Sequence, residues 1–65
     1  MNIIVNGENK NVSNDNMKEA MNELGFKELK CATALNGNFI SVDDREFTTL
    51  KEGDKIEVLS PQQGG

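Results

Sequence analysis

The sequence predicts a small two-layer α+β domain in which one amphipathic helix lies across one β-sheet. Three observations predict it. Short apolar runs built from strand-forming residues, such as Ile3-Ile4-Val5 and the run from Ile56 to Leu59, recur between turn signals. A single segment, from Met17 to Leu24, carries helical rather than alternating periodicity. The chain has 65 residues, enough for one domain with one core, so a lone helix must cover one face of the sheet.

The elements follow in order. Ile3-Ile4-Val5 is β-branched, apolar and bounded by Asn6-Gly7, which predicts a strand entering a tight turn. The loop Asn6-Gly7-Glu8-Asn9 suits a hairpin because Asn and Gly tolerate positive φ, and Lys10-Asn11-Val12 is the returning strand. Ser13 to Asn16 supplies N-cap candidates. Met17, Ala20, Met21 and Leu24 then fall at i, i+3, i+4 and i+7, one apolar face of a helix over Asp15 to Leu24. Gly25 is placed to take the left-handed position after the helix, and Phe26 to fold back as the apolar contact of that cap.

The second half reads the same way. The run from Cys31 to Leu35 is small and apolar, Asn36-Gly37 is a strong hairpin signal, and Asn38 to Ser41 is the return strand. From Val42 to Thr49 the expectation is an irregular crossing segment with a single helical turn. Lys51-Glu52-Gly53-Asp54 is a turn before the last strand, Lys55 to Leu59. Period-two alternation puts Ile56 and Val58 in the core and Glu57 and Leu59 on the opposite face. The first and last strands are the most apolar and are expected at the centre of a sheet of four to five strands.

Composition removes several functions. One cysteine forms no internal disulfide, and without histidine a Cys/His zinc site lacks its ligands. The net charge is −4 and the lysines are scattered, which disfavours a phosphate backbone as partner. No stretch approaches the length of a membrane span and the N-terminus lacks a basic signal region, so a soluble cytoplasmic protein is expected. The acidic run Asp43-Asp44-Arg45-Glu46 reads as a solvated loop, and Cys31 as a small buried hydrophobe. No nucleophile–base pair, phosphate-cradling glycine loop or metal cluster is evident, so catalysis is not expected.

"ATALNGNFI" and "LKEGDKIEVLSPQQGG" together resemble the bacterial sulfur-carrier proteins of the ThiS/MoaD type, ubiquitin-like β-grasp proteins. The matched features are the strand ending in Asn36-Gly37, the Leu50…Gly53-Asp54 turn, the last strand and the final Gly64-Gly65. The length is nearest to the thiamine-biosynthesis carrier. The resemblance implies a β-grasp domain over residues 1–60 and a flexible tail over 61–65. It also implies a reaction cycle. An E1-like, ThiF-type enzyme adenylates the Gly65 carboxylate with ATP, a persulfide donor delivers sulfur, and the resulting thiocarboxylate feeds a ThiG-type thiazole synthase. The carrier itself binds no cofactor.

Within that reading Gly64 threads a narrow channel without a Cβ in the way, and Gln62 and Gln63 span the approach. Pro61 ends the sheet, and five extended residues from Pro61 to Gly65 reach about 17 Å. Leu59, beside the tail, and Phe39, in the adjacent hairpin, are the candidate docking residues. A molybdopterin-type carrier, a ubiquitin-like modifier and a non-covalent interaction module remain open on the residues alone.

Overall fold

A computed structural model describes residues 1–26 and 31–59. Five strands form one mixed sheet in the order β2-β1-β5-β3-β4. They are β1 (Asn2–Val5), β2 (Glu8–Asn11), β3 (Ala32–Leu35), β4 (Asn38–Ile40) and β5 (Lys55–Leu59), with helix α1 (Met17–Glu23) between β2 and β3. The last strand in sequence is thus the middle strand in space. It runs parallel to β1, with Ile4 opposite Lys55 and Val5 opposite Ile56. It runs antiparallel to β3, with Thr33 opposite Val58 and Ala32 opposite Leu59.

Both hairpins turn on Asn-Gly. Asn6 and Asn36 sit at φ 50°, and Gly7 and Gly37 follow at 84° and 88°. Positive φ at both central positions is the primed turn that matches the twist of the flanking strands. The first loop is therefore two residues rather than four, and β2 begins at Glu8. Val12 lies beyond the strand, yet it is fully buried, and its N–H donates to the Met1 carbonyl. The edge strands are blunted in different ways. All of β2, Glu-Asn-Lys-Asn, is exposed and polar, and β4 has only three residues.

Helix α1 is shorter than the Asp15–Leu24 expected, because its entry is committed elsewhere. Asn14 Oδ1 accepts from the Asn16 N–H, Asp15 O accepts from the Leu50 N–H, and Asn16 forms a bridge with Thr49. Asn16 is extended and caps the helix, its Oδ1 accepting from the Glu19 N–H at 3.2 Å. At the other end the Phe26 N–H reaches Met21 O and the Gly25 N–H reaches Asn22 O, the paired bonds of a Schellman cap. Gly25 is at φ 92° and Phe26 packs partly against the core, as the sequence predicts. Seven residues make too short a helix to stand in water alone, so burial of Met17, Ala20 and Met21 holds it. They meet Ile3, Val5, Ile56 and Val58 of the sheet, each worth about 1.5–3 kcal/mol when fully buried.

The crossing segment differs most from expectation. Val42–Phe47 is a six-residue 3₁₀ helix capped by Ser41, whose Oγ accepts from the Asp44 N–H. Arg45, expected in a solvated loop, is 1% exposed. Its Nε donates to Thr33 Oγ1 at 3.1 Å, and Thr33 Oγ1 donates onward to Ile40 O at 2.8 Å. Its Nη2 donates to Cys31 O at 2.6 Å. A guanidinium carries donors in several directions, so one side chain ties the 3₁₀ helix to β3 while its stem fills apolar space. Cys31 is half-buried rather than buried, packed against the margin of the core.

Two stability changes should follow. Arg45→Met keeps the apolar stem but loses the bonds to Thr33 Oγ1 and the Cys31 carbonyl, and chemical denaturation should show a loss of about 2 kcal/mol. Nothing lies within 4 Å of a Cβ built on Gly25, so Gly25→Ala should lose only about 1–2 kcal/mol, from backbone strain alone.

Candidate functional site

The sheet has one face against α1 and one face open, and β5 decides which residues reach each. Ile56 and Val58 point into the core at 1% and 6% exposure, while Lys55, Glu57 and Leu59 point outward. Leu59 is 72% exposed although it closes the central strand of the sheet. Phe39 on β4 is 71% exposed. Apolar side chains of this size left in water on the open face of the sheet mark a contact surface more readily than a packing fault.

The space between them comes from β3. Ala34 lies opposite both Phe39 on β4 and Glu57 on β5, and Ala32 lies opposite Leu59. Two alanines on the open face leave a trough between the large side chains on either side. It has a volume of about 110 Å³ and almost wholly apolar walls, from Ala32, Ala34, Phe39 and Leu59. A larger groove of about 480 Å³ lies on the other side of β5, lined by Ile4, Asn6, Gly7, Lys55, Glu57 and Leu59. Leu59 and Glu57 form the ridge shared by both. An apolar knob beside a single carboxylate suits a partner surface that is apolar with a basic rim.

The sequence expectation named Leu59 and Phe39 as docking residues and placed Glu57 on the same face as Leu59, but did not single out Ile4, Ala32 or Ala34. The signal for the two alanines was available in the alternation of β3, where they occupy the positions opposite Thr33 and Leu35 in the pleat. Gln62, Gln63, Gly64 and Gly65 lie outside the described residues, which end on the chain leading to them at Leu59. Among the described residues no three His, Cys, Asp or Glu side chains gather as a metal site. No helix among them is long and apolar enough to cross a membrane.

The strand that carries Leu59 is held at both ends by carboxamides. At its start, Asn36 Oδ1 accepts from the Lys55 N–H at 3.0 Å while Asn36 Nδ2 donates to Asp54 Oδ1 at 3.0 Å. The other Asp54 oxygen accepts from the Lys51 N–H and closes the turn before β5. At its end, Asn6 Oδ1 accepts from the Val58 N–H at 2.9 Å and Asn6 Nδ2 donates to Val58 O at 3.2 Å. The Asn-Gly and Gly-Asp motifs are therefore more than turn formers, since both Asn-Gly asparagines and Asp54 position β5.

Comparison with known proteins agrees with this architecture. A crystal structure of the thiamine biosynthesis protein ThiS from Geobacter metallireducens is 30% identical over the whole of both chains, with a TM-score of 0.80. A solution structure of a thiamine biosynthesis protein from the same organism is also 30% identical, covering 100% of this chain and 88% of that one, with a TM-score of 0.78. Among curated proteins none matches. The ThiS family model matches residues 3–65, nearly the whole sequence and through its final glycine. This mixed sheet on one helix is thus a β-grasp domain, and the chain belongs to the ThiS family of small sulfur carriers.

Proposed function

We propose that this protein carries sulfur on the Gly65 carboxylate, as a thiocarboxylate, and delivers it for thiazole formation in thiamine biosynthesis. The observation that carries the reading is the family match running through Gly65 on a chain whose full length follows thiamine-biosynthesis structures. The protein acts as a co-substrate, and the chemistry belongs to its partners.

A carboxylate resists nucleophiles because its leaving group would be oxide. In the proposed cycle a ThiF-type activating enzyme lets the Gly65 carboxylate attack the α-phosphorus of ATP, releasing pyrophosphate and leaving an acyl-adenylate with a good leaving group. A persulfide sulfur then attacks the acyl carbon and AMP departs. A thiol cleaves the resulting acyl disulfide, which leaves the thiocarboxylate on Gly65 and oxidises the thiol. A ThiG-type thiazole synthase then accepts the sulfur. ATP is used by the activating enzyme and not held by this chain, and the setting is cytoplasmic.

The roles proposed for the chain's own residues rest on their chemistry and, for Leu59, Phe39 and Glu57, on their exposure. Gly64 and Gly65 present no Cβ to a narrow channel, and Gln62 and Gln63 bridge from the body to the reacting carboxylate. Leu59 and Phe39 dock the body against the partner while the tail is engaged, and Glu57 meets a cation at the edge of that contact.

Incubation with ATP, the activating enzyme and a persulfide donor should yield a species in which intact-protein mass spectrometry finds one oxygen replaced by sulfur. Removing Gly65 should abolish that species with no change in thermal unfolding, and sulfur loading of the truncated chain would sink the proposal. Leu59→Asp should leave stability within about 0.5 kcal/mol, as surface changes do. It should lower kcat/KM for adenylation by roughly thirtyfold, the equivalent of one interface hot spot, read by AMP release.

A further inference from the structure

We propose that the Asn6 side chain is a positioning residue for the reaction. By acting as a surrogate peptide unit that completes the β1–β5 ladder, it fixes the direction in which the chain leaves the body after Leu59. This inference rests on the sulfur-carrier reading above and adds to it a residue far from the tail in sequence.

The geometry is that of a parallel ladder continued by a side chain. The backbone bonds run in order along the shared edge of β1 and β5. The Ile4 N–H donates to Asp54 O at 2.8 Å, and the Asn6 N–H donates to Ile56 O at 2.9 Å. In a longer parallel pair the next bonds, at Val58, would come from a backbone carbonyl and an N–H farther along β1. Here β1 has ended, because Asn6 stands at φ 50° and the chain reverses through Gly7 into β2. The Asn6 carboxamide offers the same carbonyl and N–H pair in the place of the missing backbone. It accepts from the Val58 N–H at 2.9 Å and donates to Val58 O at 3.2 Å.

Without it, both polar groups of Val58 on that edge would be left facing a turn, at a residue that is only 6% exposed. Satisfaction of buried backbone groups requires a partner, and the Asn6 carboxamide supplies one to each of the two Val58 groups. The consequence is local. Asn36 holds the start of β5 at Lys55, six residues before the tail begins at Pro61. Asn6 holds Val58, three residues before it. Asn6 lines the groove beside Leu59, but its bonds run to Val58 and not to Leu59 or Phe39, so loss of the carboxamide should act on the aim of the tail more than on binding of the body. Misaiming a reacting group lowers turnover and leaves ground-state binding unchanged.

Asn6→Gly and Asn36→Gly test this together. Glycine takes positive φ freely, so each variant keeps its turn and loses only the carboxamide. Asn6→Asp is nearly isosteric but sets a carboxylate oxygen where Nδ2 donates to Val58 O. With the carrier as varied substrate of the activating enzyme, Asn6→Gly should lower kcat about tenfold with KM within about twofold, and Asn6→Asp should do the same or worse. Asn36→Gly should lose comparable thermal stability with kcat unchanged. By amide hydrogen exchange, Val58 should lose protection about tenfold or more in Asn6→Gly, with Ile56 keeping its own. Unchanged Val58 protection overturns the surrogate-peptide role. Unchanged kcat in Asn6→Gly, or an equal fall of kcat in Asn36→Gly, overturns the positioning role. If the unaltered protein is not adenylated at all, the sulfur-carrier reading and the positioning role that rests on it both fall, while the exchange measurement still decides the hydrogen-bonding role of Asn6.

Discussion

The whole structure depends on a last strand that must be inserted between two strands made earlier. β5 pairs with β1 on one side and β3 on the other, and it supplies Ile56 and Val58 to the centre of the core. Its bonds to Asn6 join residues 52 apart. Such a strand gains nothing until its neighbours are placed, and its neighbours cannot form one sheet without it. Non-local pairing of this kind makes the fold cooperative, because the entropy of closing the chain must be overcome before the contacts form. The two Asn-Gly turns serve this constraint directly. Each reverses a hairpin and then turns its side chain onto β5, one at the strand's first residue and one near its last.

The two faces of the sheet divide the work. The inner face carries Ile3, Val5, Ile56 and Val58 against a helix only seven residues long. A small core leaves little reserve, and the structure supplements it with polar ties that are themselves buried. Arg45 is the clearest of these, holding the 3₁₀ helix to β3 through Thr33 and the Cys31 carbonyl. The outer face follows the opposite rule. Small alanines on β3 and exposed Leu59 and Phe39 leave it unfilled, a shape that costs stability in isolation and is useful only when a partner covers it. For a small sulfur carrier, a firm body with an open apolar face is consistent with the partner recognition proposed above.

Much of this was legible in the sequence because it rests on local chemistry. The helix face of Met17, Ala20 and Met21, the Gly25-Phe26 cap and the alternation of β5 are short-range patterns, and each appears as expected. The misses share a cause. Arg45 looked solvated because its neighbours Asp43, Asp44 and Glu46 are charged, and only the packing of the 3₁₀ helix against β3 turns it inward. The first two residues expected in α1 lie outside it because the Asp15 carbonyl accepts from the Leu50 N–H and Asn16 bridges to Thr49. In both cases a partner more than ten residues away outweighs a local preference.

By itself the sequence determined the kind and order of the elements, the two turns, the central place of the first and last strands and most of the apolar core. These follow from backbone preference and the periodicity of apolar side chains, which act over a few residues. Tertiary structure alone decided the register of β5 between β1 and β3, that Leu59 shares a ridge with Glu57 between two grooves, and that Asn6 grips Val58. Those depend on which strands lie side by side. A hydrogen bond between residues 6 and 58 has no trace in either local pattern until the sheet brings them together.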